Sequence, residues 1–339
     1  MLILRKLFLK LVGINNYVLF LSSVILVVFS SILITWVEKD TFPTLFDGFW
    51  WVMTTVTTVG YGDYFPVTVT GRWIAIFLYI FGIGLIGVAI GKIIDSLAIF
   101  RKKRIEGDIV YKESGHFIII GWSQKAHFAI QEIVETDKDV EVVLIDQLKE
   151  APMLSDNVHY IKGEAANSET LEKANVKEAK AVLIFSDDLM QNDQMTDGKS
   201  LLIASSIEAV APEVHTIVEI MDEKHIENFK HVRVDEFIVS NETISSLAVR
   251  SAFRKGISEI YGQLLRRSVG EDLYHIPKRK GWSTYRDAFE ALLEEGATLI
   301  ADRQDLAINR KLDENIPASA ELYAVCDKET YSKIMRGEG

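Results

Sequence analysis

The stretch TTVTTVGYGDYFP, residues 54–66, places two glycines two positions apart around a tyrosine, directly after a threonine-rich run. Glycine takes positive φ without steric penalty, so Gly60 and Gly62 are predicted to let the backbone alternate in handedness. A ribbon of that kind turns successive carbonyls to a common side. Thr58, Val59, Gly60 and Tyr61 then offer carbonyl oxygens, with the Thr58 hydroxyl as one more, in place of an ion's hydration shell.

The flanks set where such a ribbon sits. Residues 17–37, YVLFLSSVILVVFSSILITWV, run 21 positions without a charge, enough at 1.5 Å per residue to cross a hydrocarbon core about 30 Å thick. A signal peptide would have a shorter apolar region followed by small residues, whereas Trp36, Glu38, Lys39 and Asp40 follow here. Residues 73–94 form a second span, interrupted only by Lys92. Arg5, Lys6 and Lys10 precede the first span and RKKR (101–104) follows the second, while the loop between holds Glu38, Asp40, Asp47 and Asp63. Both termini are therefore expected to be cytoplasmic in a multi-pass protein. The segment between the spans is too polar and glycine-rich for a third crossing and too apolar for an exterior loop. It reads as re-entrant, which is tolerated only where protein buries it or where it lines a wet cavity. Residues 46–57 can form a short descending helix whose C-terminal dipole end favours a cation. One two-span chain cannot enclose a pore, so a homotetramer in the lipid bilayer is expected.

At these residues TVGYGD resembles the potassium-channel signature, in its usual place between two membrane spans. The resemblance implies a prokaryotic two-transmembrane potassium channel of the plasma (inner) membrane, with Thr58, Val59, Gly60, Tyr61, Gly62 and Asp63 as its selectivity filter holding K+ ions. It implies further that Trp50 and Trp51 brace the filter and that Asp63 is the outer-mouth carboxylate. Some relatives carry a glutamate where this chain has Thr54. Gly82, Gly84, Gly87 and Gly91 lie on the second span, where glycine permits close packing or bending. Gly82 matches the hinge position of related channels, with Ile86, Ile90 and Asp95 expected along the inner cavity or gate. No segment repeats arginine every third residue, so gating is expected to come from elsewhere than a voltage sensor of the usual kind.

Charge separates the rest of the chain. The whole carries −11, yet residues 1–107 hold 10 Lys+Arg against 6 Asp+Glu, leaving the remainder strongly acidic. That balance argues against nucleic acid, which is engaged by neutralising phosphates. After the charged connector at 101–114, HFIIIG (116–121), VEVVLID (140–146), VHYIKG (158–163), AVLIFS (181–186), HTIVEI (215–220) and EFIVS (236–240) read as buried parallel strands, with helices at 124–136 and 168–174 among the stretches between them. The pattern is a doubly wound α/β domain of Rossmann type. Its first turn, Gly121-Trp122-Ser123-Gln124-Lys125-Ala126, departs from the dinucleotide fingerprint at Ser123. Asp146, ending the second strand, stands where a ribose-binding acid is expected. A nucleotide phosphate would sit over the following helix's N-terminus near Lys125; an empty scaffold is the other reading.

HFIIIGWS, GEAANSETLEKANVKEAKAVLI and DEFIVSNETISSLAV resemble the RCK domain (regulator of K+ conductance). This likeness implies that Glu164 lies near the cleft and that Asp187, Asp188 and Glu219 fall near the positions where calcium-gated relatives hold a divalent ion. Met221 replaces a second glutamate of those relatives. Residues 222–254 resemble the crossover helices that pair two such domains, with Ile226, Phe229, Leu247 and Val249 at the interface or in the chain's own core. The lone cysteine, Cys326, excludes an intrachain disulfide and reads as a small strand residue.

The expected architecture is thus a membrane α-helical two-span pore module with a cytoplasmic α/β Rossmann-like RCK domain and a small α+β C-terminal subdomain. The expected boundaries are 1–16, an N-terminal cytoplasmic segment; 17–100, the pore module, with spans at 17–37 and 73–100 and a pore helix and filter at 44–63; 101–114, the linker; 115–262, the RCK lobe and crossover helices; and 263–339, the subdomain. The expected function is a ligand-gated potassium channel, not an enzyme, with an adenine nucleotide or NAD as first ligand and Ca2+ or another divalent cation as second. A tetramer supplies four RCK domains, and an octameric ring would need additional soluble copies. The alternatives are a membrane-tethered NAD(P)-binding oxidoreductase, for which the sequence offers no catalytic constellation, and a potassium transporter subunit, which would need repeated pore segments.

Overall fold

The computed structural model describes residues 16–187, 190, 192–265 and 270–336, so most of the expected N-terminal segment, with Arg5, Lys6 and Lys10, lies outside the described residues. The chain divides into two units, Met1–Lys103 and Arg104–Gly339.

The first unit is helical. α1 (Asn16–Val37) and the long α3 (Val69–Glu106) are apolar enough and long enough to cross a membrane, and α2 (Leu45–Val56) lies between them. α2 begins on a capping box, in which the Thr44 side chain accepts from the Asp47 N–H and Asp47 accepts from the Thr44 N–H. Ile34, Phe42, Trp51, Val52, Val56 and Leu78 pack around it as a small core. Behind that core the Glu38 carboxylate, 4 % exposed, accepts from the Val67 N–H (3.0 Å), the Thr68 N–H (2.9 Å) and the Thr68 hydroxyl (2.6 Å). It thereby ties the end of α1 to the backbone donors that open α3. Burial alone would raise the Glu38 carboxyl, but the hydrogen bonds from Thr68, Val67 and Thr41 prevail and hold it below its ordinary value of 4.5. A depressed carboxyl stabilises the fold above its unfolded pKa and loses that contribution as pH falls through the lower folded value. The tie is therefore expected to persist through pH 4.5 and to fail only below it. Glu38→Gln should remove on the order of 3 kcal/mol at neutral pH and abolish this acid dependence, read as the melting temperature in detergent against pH.

In the second unit six strands form one parallel sheet in the order β3-β2-β1-β4-β5-β6: β1 (Phe117–Ile120), β2 (Val142–Asp146), β3 (Val158–Lys162), β4 (Ala181–Ile184), β5 (His215–Ile220) and β6 (Glu236–Val239). Their continuous Val/Ile/Leu runs are buried because helices cover both faces. α4 (Gln124–Thr136), α5 (Ser168–Lys173) and α6 (Asp193–Val210) make the crossovers. Strand order reverses between β1 and β4, which places a crevice at the carboxyl ends of those two strands.

The connector read from its charge as a linker is bonded to this sheet over most of its length. The Ala151 N–H donates to Ile105 O (2.8 Å), the Lys162 N–H to Gly107 O (3.1 Å), His159 Nε2 to Ile109 O (2.9 Å), and Tyr111 O–H to Glu141 (2.6 Å). Gly107 is required there, since its φ is +73° and a Cβ would crowd the Lys162 nitrogen and the Tyr160 ring.

α7 (Ser240–Phe253) and α8 (Ile257–Leu264) form a helical pair with no buried residue, leaving Ile244, Val249, Phe253 and Ile260 exposed. Of the four interface candidates, Ile226 and Phe229 belong to the chain's own core, because they precede β6 and pack under the sheet; Leu247 and Val249 are on the open pair. Beyond them a three-stranded antiparallel sheet in the order β7-β9-β8 is built from β7 (Asp272–Ile276), β8 (Thr298–Asp302) and β9 (Leu322–Cys326). α9 (Tyr285–Glu294) and α10 (Lys328–Arg336) complete this subdomain, whose core includes Tyr274, Ile276, Leu292 and Leu322. Cys326 is fully buried in it, and burial first, then nearby carboxylates, push its thiol up to about 11, so it is inert at neutral pH.

Candidate functional sites

The ribbon after α2 alternates in handedness throughout. Thr58 (φ 62°), Gly60 (56°) and Gly62 (77°) have positive φ, and Val59 and Tyr61 between them do not. The glycines were legible from sequence; Thr58 was not, because β-branched residues rarely adopt that conformation. The turn is fixed from α2: Thr54 O accepts from the Val59 N–H (2.9 Å) and the Gly60 N–H (3.0 Å), and the Thr58 N–H donates to Thr55 O (3.1 Å). The backbone N–H groups of Thr58, Val59 and Gly60 are thus consumed against the end of α2.

The two tryptophans do different work. Trp50 donates from Nε1 to Asp63 Oδ2 at 2.8 Å, and its ring lies nearly parallel to Tyr61 with centroids 5.8 Å apart. Trp51 turns inward, 4 % exposed, and packs on Phe42 at 5.5 Å. On α3, Gly82 is buried where a Cβ would press on Val56 at the end of α2, so this glycine permits close packing. Ile86, grouped with Ile90 and Asp95 in the reading of the sequence, is partly buried against the core of this unit, and Ile90 and Asp95 are exposed.

The crevice of the second unit is a cavity of about 250 Å³ lined by Gly121, Trp122, Asp146, Glu164, Asp187 and Lys199 among others. The Asp146 carboxylate accepts from the N–H groups of Trp122 (2.6 Å), Gln147 (2.6 Å) and Leu148 (3.2 Å), and so joins the first and second βα turns. Ser123, at the middle glycine position of the fingerprint, is the N-cap of α4 and accepts from the Ala126 N–H. Gln124 opens that helix.

Lys125 points elsewhere. Its Nζ lies 2.9 Å from both carboxylate oxygens of Glu219, which is 3 % exposed and also accepts from the Ser186 N–H (2.7 Å) and the Ser240 hydroxyl. Lys125 and Glu219, assigned from sequence to a phosphate and a divalent ion, are thus each other's partners. Asp187 is paired with Lys199 at 2.8 Å, and Asp188 lies outside the described residues. Among the described residues no three His, Cys, Asp or Glu side chains converge as a metal site requires.

Sequence reasoning missed two residues of α6. Lys199 brings a cation to the cleft wall from a helix the fingerprint does not include. Asp197, 2 % exposed, accepts from Met221 N–H (2.9 Å), Asp222 N–H (3.2 Å) and His225 Nδ1 (2.6 Å), fixing the loop after β5. An acid sharing the buried helix face of Ser200 and Ala204 is a sequence signal that identifies such a group.

Comparison with known proteins finds a separate match in each of the two units. Residues 18–98 match the ion-channel family (Ion_trans_2) and residues 117–240 the TrkA-N domain. A putative potassium channel protein of Bacillus subtilis, YugO, is 35 % identical over 210 residues, covering 61 % of this chain and 63 % of that protein. The calcium-gated potassium channel TvoK of Thermoplasma volcanium is 28 % identical over 247 residues, covering 71 % of this chain and 69 % of that one. The gating ring of human SLO3 is similar in fold at 13 % identity and a TM-score of 0.50, over 64 % of this chain and 45 % of that structure. The chain therefore spans just under two thirds of the length of the Bacillus relative.

Proposed function

From a chain that carries an ion-channel domain followed by a TrkA-N domain, we propose a potassium-selective channel of the cell membrane whose cytoplasmic domains control its opening. The carrying observation is the alternating ribbon at Thr58, Val59, Gly60, Tyr61 and Gly62, held at the C-terminal end of a short helix between two apolar spans. Four such ribbons around one axis replace the water of a dehydrated cation with carbonyl oxygens, which makes the unit of function a homotetramer. Asp63, positioned by Trp50, places a carboxylate at the mouth. Both potassium-channel relatives support the choice of ion. Both termini are cytoplasmic on the charge asymmetry of the flanks. The exposed apolar side of α7 and α8 supports pairing of the cytoplasmic domains between copies. Flux through reconstituted protein tests the reading: potassium and rubidium enter the vesicles, and sodium stays at the level of empty ones. Equal entry of sodium and potassium overturns it.

The gating ligand is an adenine nucleotide or NAD in the crevice at the ends of β1 and β4. Asp146 is oriented by three backbone N–H groups toward a ribose, and the N-terminus of α4 lies under a phosphate. Lys199 is the cation on the facing wall. Asp146→Ala should weaken nucleotide binding about tenfold or more in titration calorimetry of the full protein, and unchanged affinity refutes the assignment. A divalent cation is the second reading, from the calcium-gated relative and the position of Asp187 in the cleft. It requires Asp187 to leave Lys199.

A further inference from the structure

The ribbon runs out on Asp63, an exposed carboxylate whose two oxygens have different partners. Oδ2 accepts from Trp50 Nε1 at 2.8 Å, and Oδ1 accepts from the N–H of the next residue, Tyr64, at 3.0 Å. The first donor belongs to α2, which its capping box and the core around Trp51 hold in place. The second is only as firm as the peptide that carries it, and residues 63 and 64 lie outside any helix or strand. The Tyr64 side chain supplies the firmness that the backbone lacks.

That side chain is anchored twice. Its ring stacks on Phe42, with centroids 5.8 Å apart and 27° between the planes, and Phe42 is fully buried against Trp51. Its hydroxyl bonds to the Asp47 carboxylate, and that bond and charge raise it above its ordinary value of 10.0, so at neutral pH it donates. Asp47 is also the acid of the capping box that opens α2. Both anchors lead back to the start of α2, while Trp50 holds the other carboxylate oxygen from one turn further along. A charged group held from two directions by donors that are themselves packed keeps one orientation. We propose that Tyr64, fixed by Phe42 and Asp47, is a positioning residue of the outer mouth that keeps the Asp63 charge directed at entering potassium ions. The inference rests on the reading of residues 58–62 as a potassium filter. A fixed negative charge at a mouth raises the local concentration of the permeating cation, and salt screens the effect. Its loss is therefore felt where potassium is scarce and not where it is abundant.

The test reads the single-channel current of the full chain in planar bilayers of uncharged lipid, because poor folding changes how many channels appear and not the current that each carries. In about 10 mM potassium, where charges act over roughly 30 Å, Tyr64→Ala should carry about a third of the unaltered current. In about 1 M potassium, where that reach shrinks to roughly 3 Å, the two currents should coincide. Tyr64→Phe keeps the stack on Phe42 and should restore most of the current at low potassium. In an Asp63→Asn background, Tyr64→Ala should cost nothing further. Equal currents at both concentrations overturn the proposal. So does a loss by the same factor at both, since the tyrosine then shapes the ribbon itself, and so does a further loss in the Asp63→Asn background. Should Tyr64→Ala yield no channels, Tyr64→Phe is compared at the same two concentrations, and a current equal to the unaltered one in both overturns the proposal. An unaltered protein that passes sodium as readily as potassium overturns the filter reading and this inference with it; a selective protein indifferent to Tyr64→Ala overturns this inference alone.

Discussion

Gly60→Ala is expected to reduce potassium flux from reconstituted protein to the level of empty vesicles, while the cytoplasmic unit melts at its usual temperature. Gly60 has φ +56° and no atom lies within 4 Å of where its Cβ would be, so the substitution acts on the backbone and not through a clash in the protomer. An L-residue in the left-handed region costs about 1–2 kcal/mol, and four copies in one ring bring roughly 4–8 kcal/mol against the alternating conformation. The ribbon has little tolerance for this. Thr58 already sits at φ 62°, a strain on the order of 1–3 kcal/mol for a β-branched residue, and is held by its N–H on Thr55 O and by Thr54 O on the next two residues. Gly60→Asn, which enters the left-handed region more readily, should retain more flux than Gly60→Ala. Normal potassium flux through the alanine variant refutes the role given to the alternation.

The glycine spacing was legible because it answers a local question: glycine alone takes positive φ at no cost. The strands and α4 were legible for a similar reason, since continuous Val/Ile/Leu runs and a 3.6-residue period are properties of neighbours in sequence. What stayed hidden depends on residues far apart. That Trp51 packs on Phe42 while Trp50 reaches Asp63 follows from which side of α2 meets α1 and α3, and adjacent tryptophans on a helix necessarily diverge. The reading of Ile226 and Phe229 stayed open between an interface and the chain's own core, because an apolar residue in a crossover reads the same whether it covers its own sheet or another's; the fold puts both in the core. The connector at 101–114 read only as a charged linker, yet its backbone bonds to β3 and to the loops around it involve main-chain groups, which composition does not report. Lys125 is the sharpest case. Its place in the phosphate-binding turn suggested a ligand contact, and a strand 94 residues later supplied the partner that occupies it.

Lys125→Met should accordingly lower the stability of the ligand-free protein by about 3–5 kcal/mol, since it strands a carboxylate that is 3 % exposed. In a unit of this size that corresponds to roughly 6–20 °C in the melting temperature of the cytoplasmic unit. The reciprocal change is milder. Lys125 is 36 % exposed, so after Glu219→Gln its ammonium turns to water, and the amide oxygen still accepts from Ser186 N–H and Ser240; a loss of about 1–2 kcal/mol is expected. Combining the two removes the buried charge along with its partner, and the double variant should be more stable than Lys125→Met alone, a coupling read directly from a double-mutant cycle. A lysine whose purpose was to bind phosphate would behave differently: Lys125→Met would leave the ligand-free melting temperature unchanged and weaken only nucleotide binding. Because the pair joins α4 to β5 and, through Ser186 and Ser240, to the residues that follow β4 and β6, its loss should also loosen the rim of the crevice, so any nucleotide effect of Lys125→Met should be reduced in the double variant. A double variant no more stable than the single one shows that the two side chains act independently and removes the ion pair as the clasp of this rim.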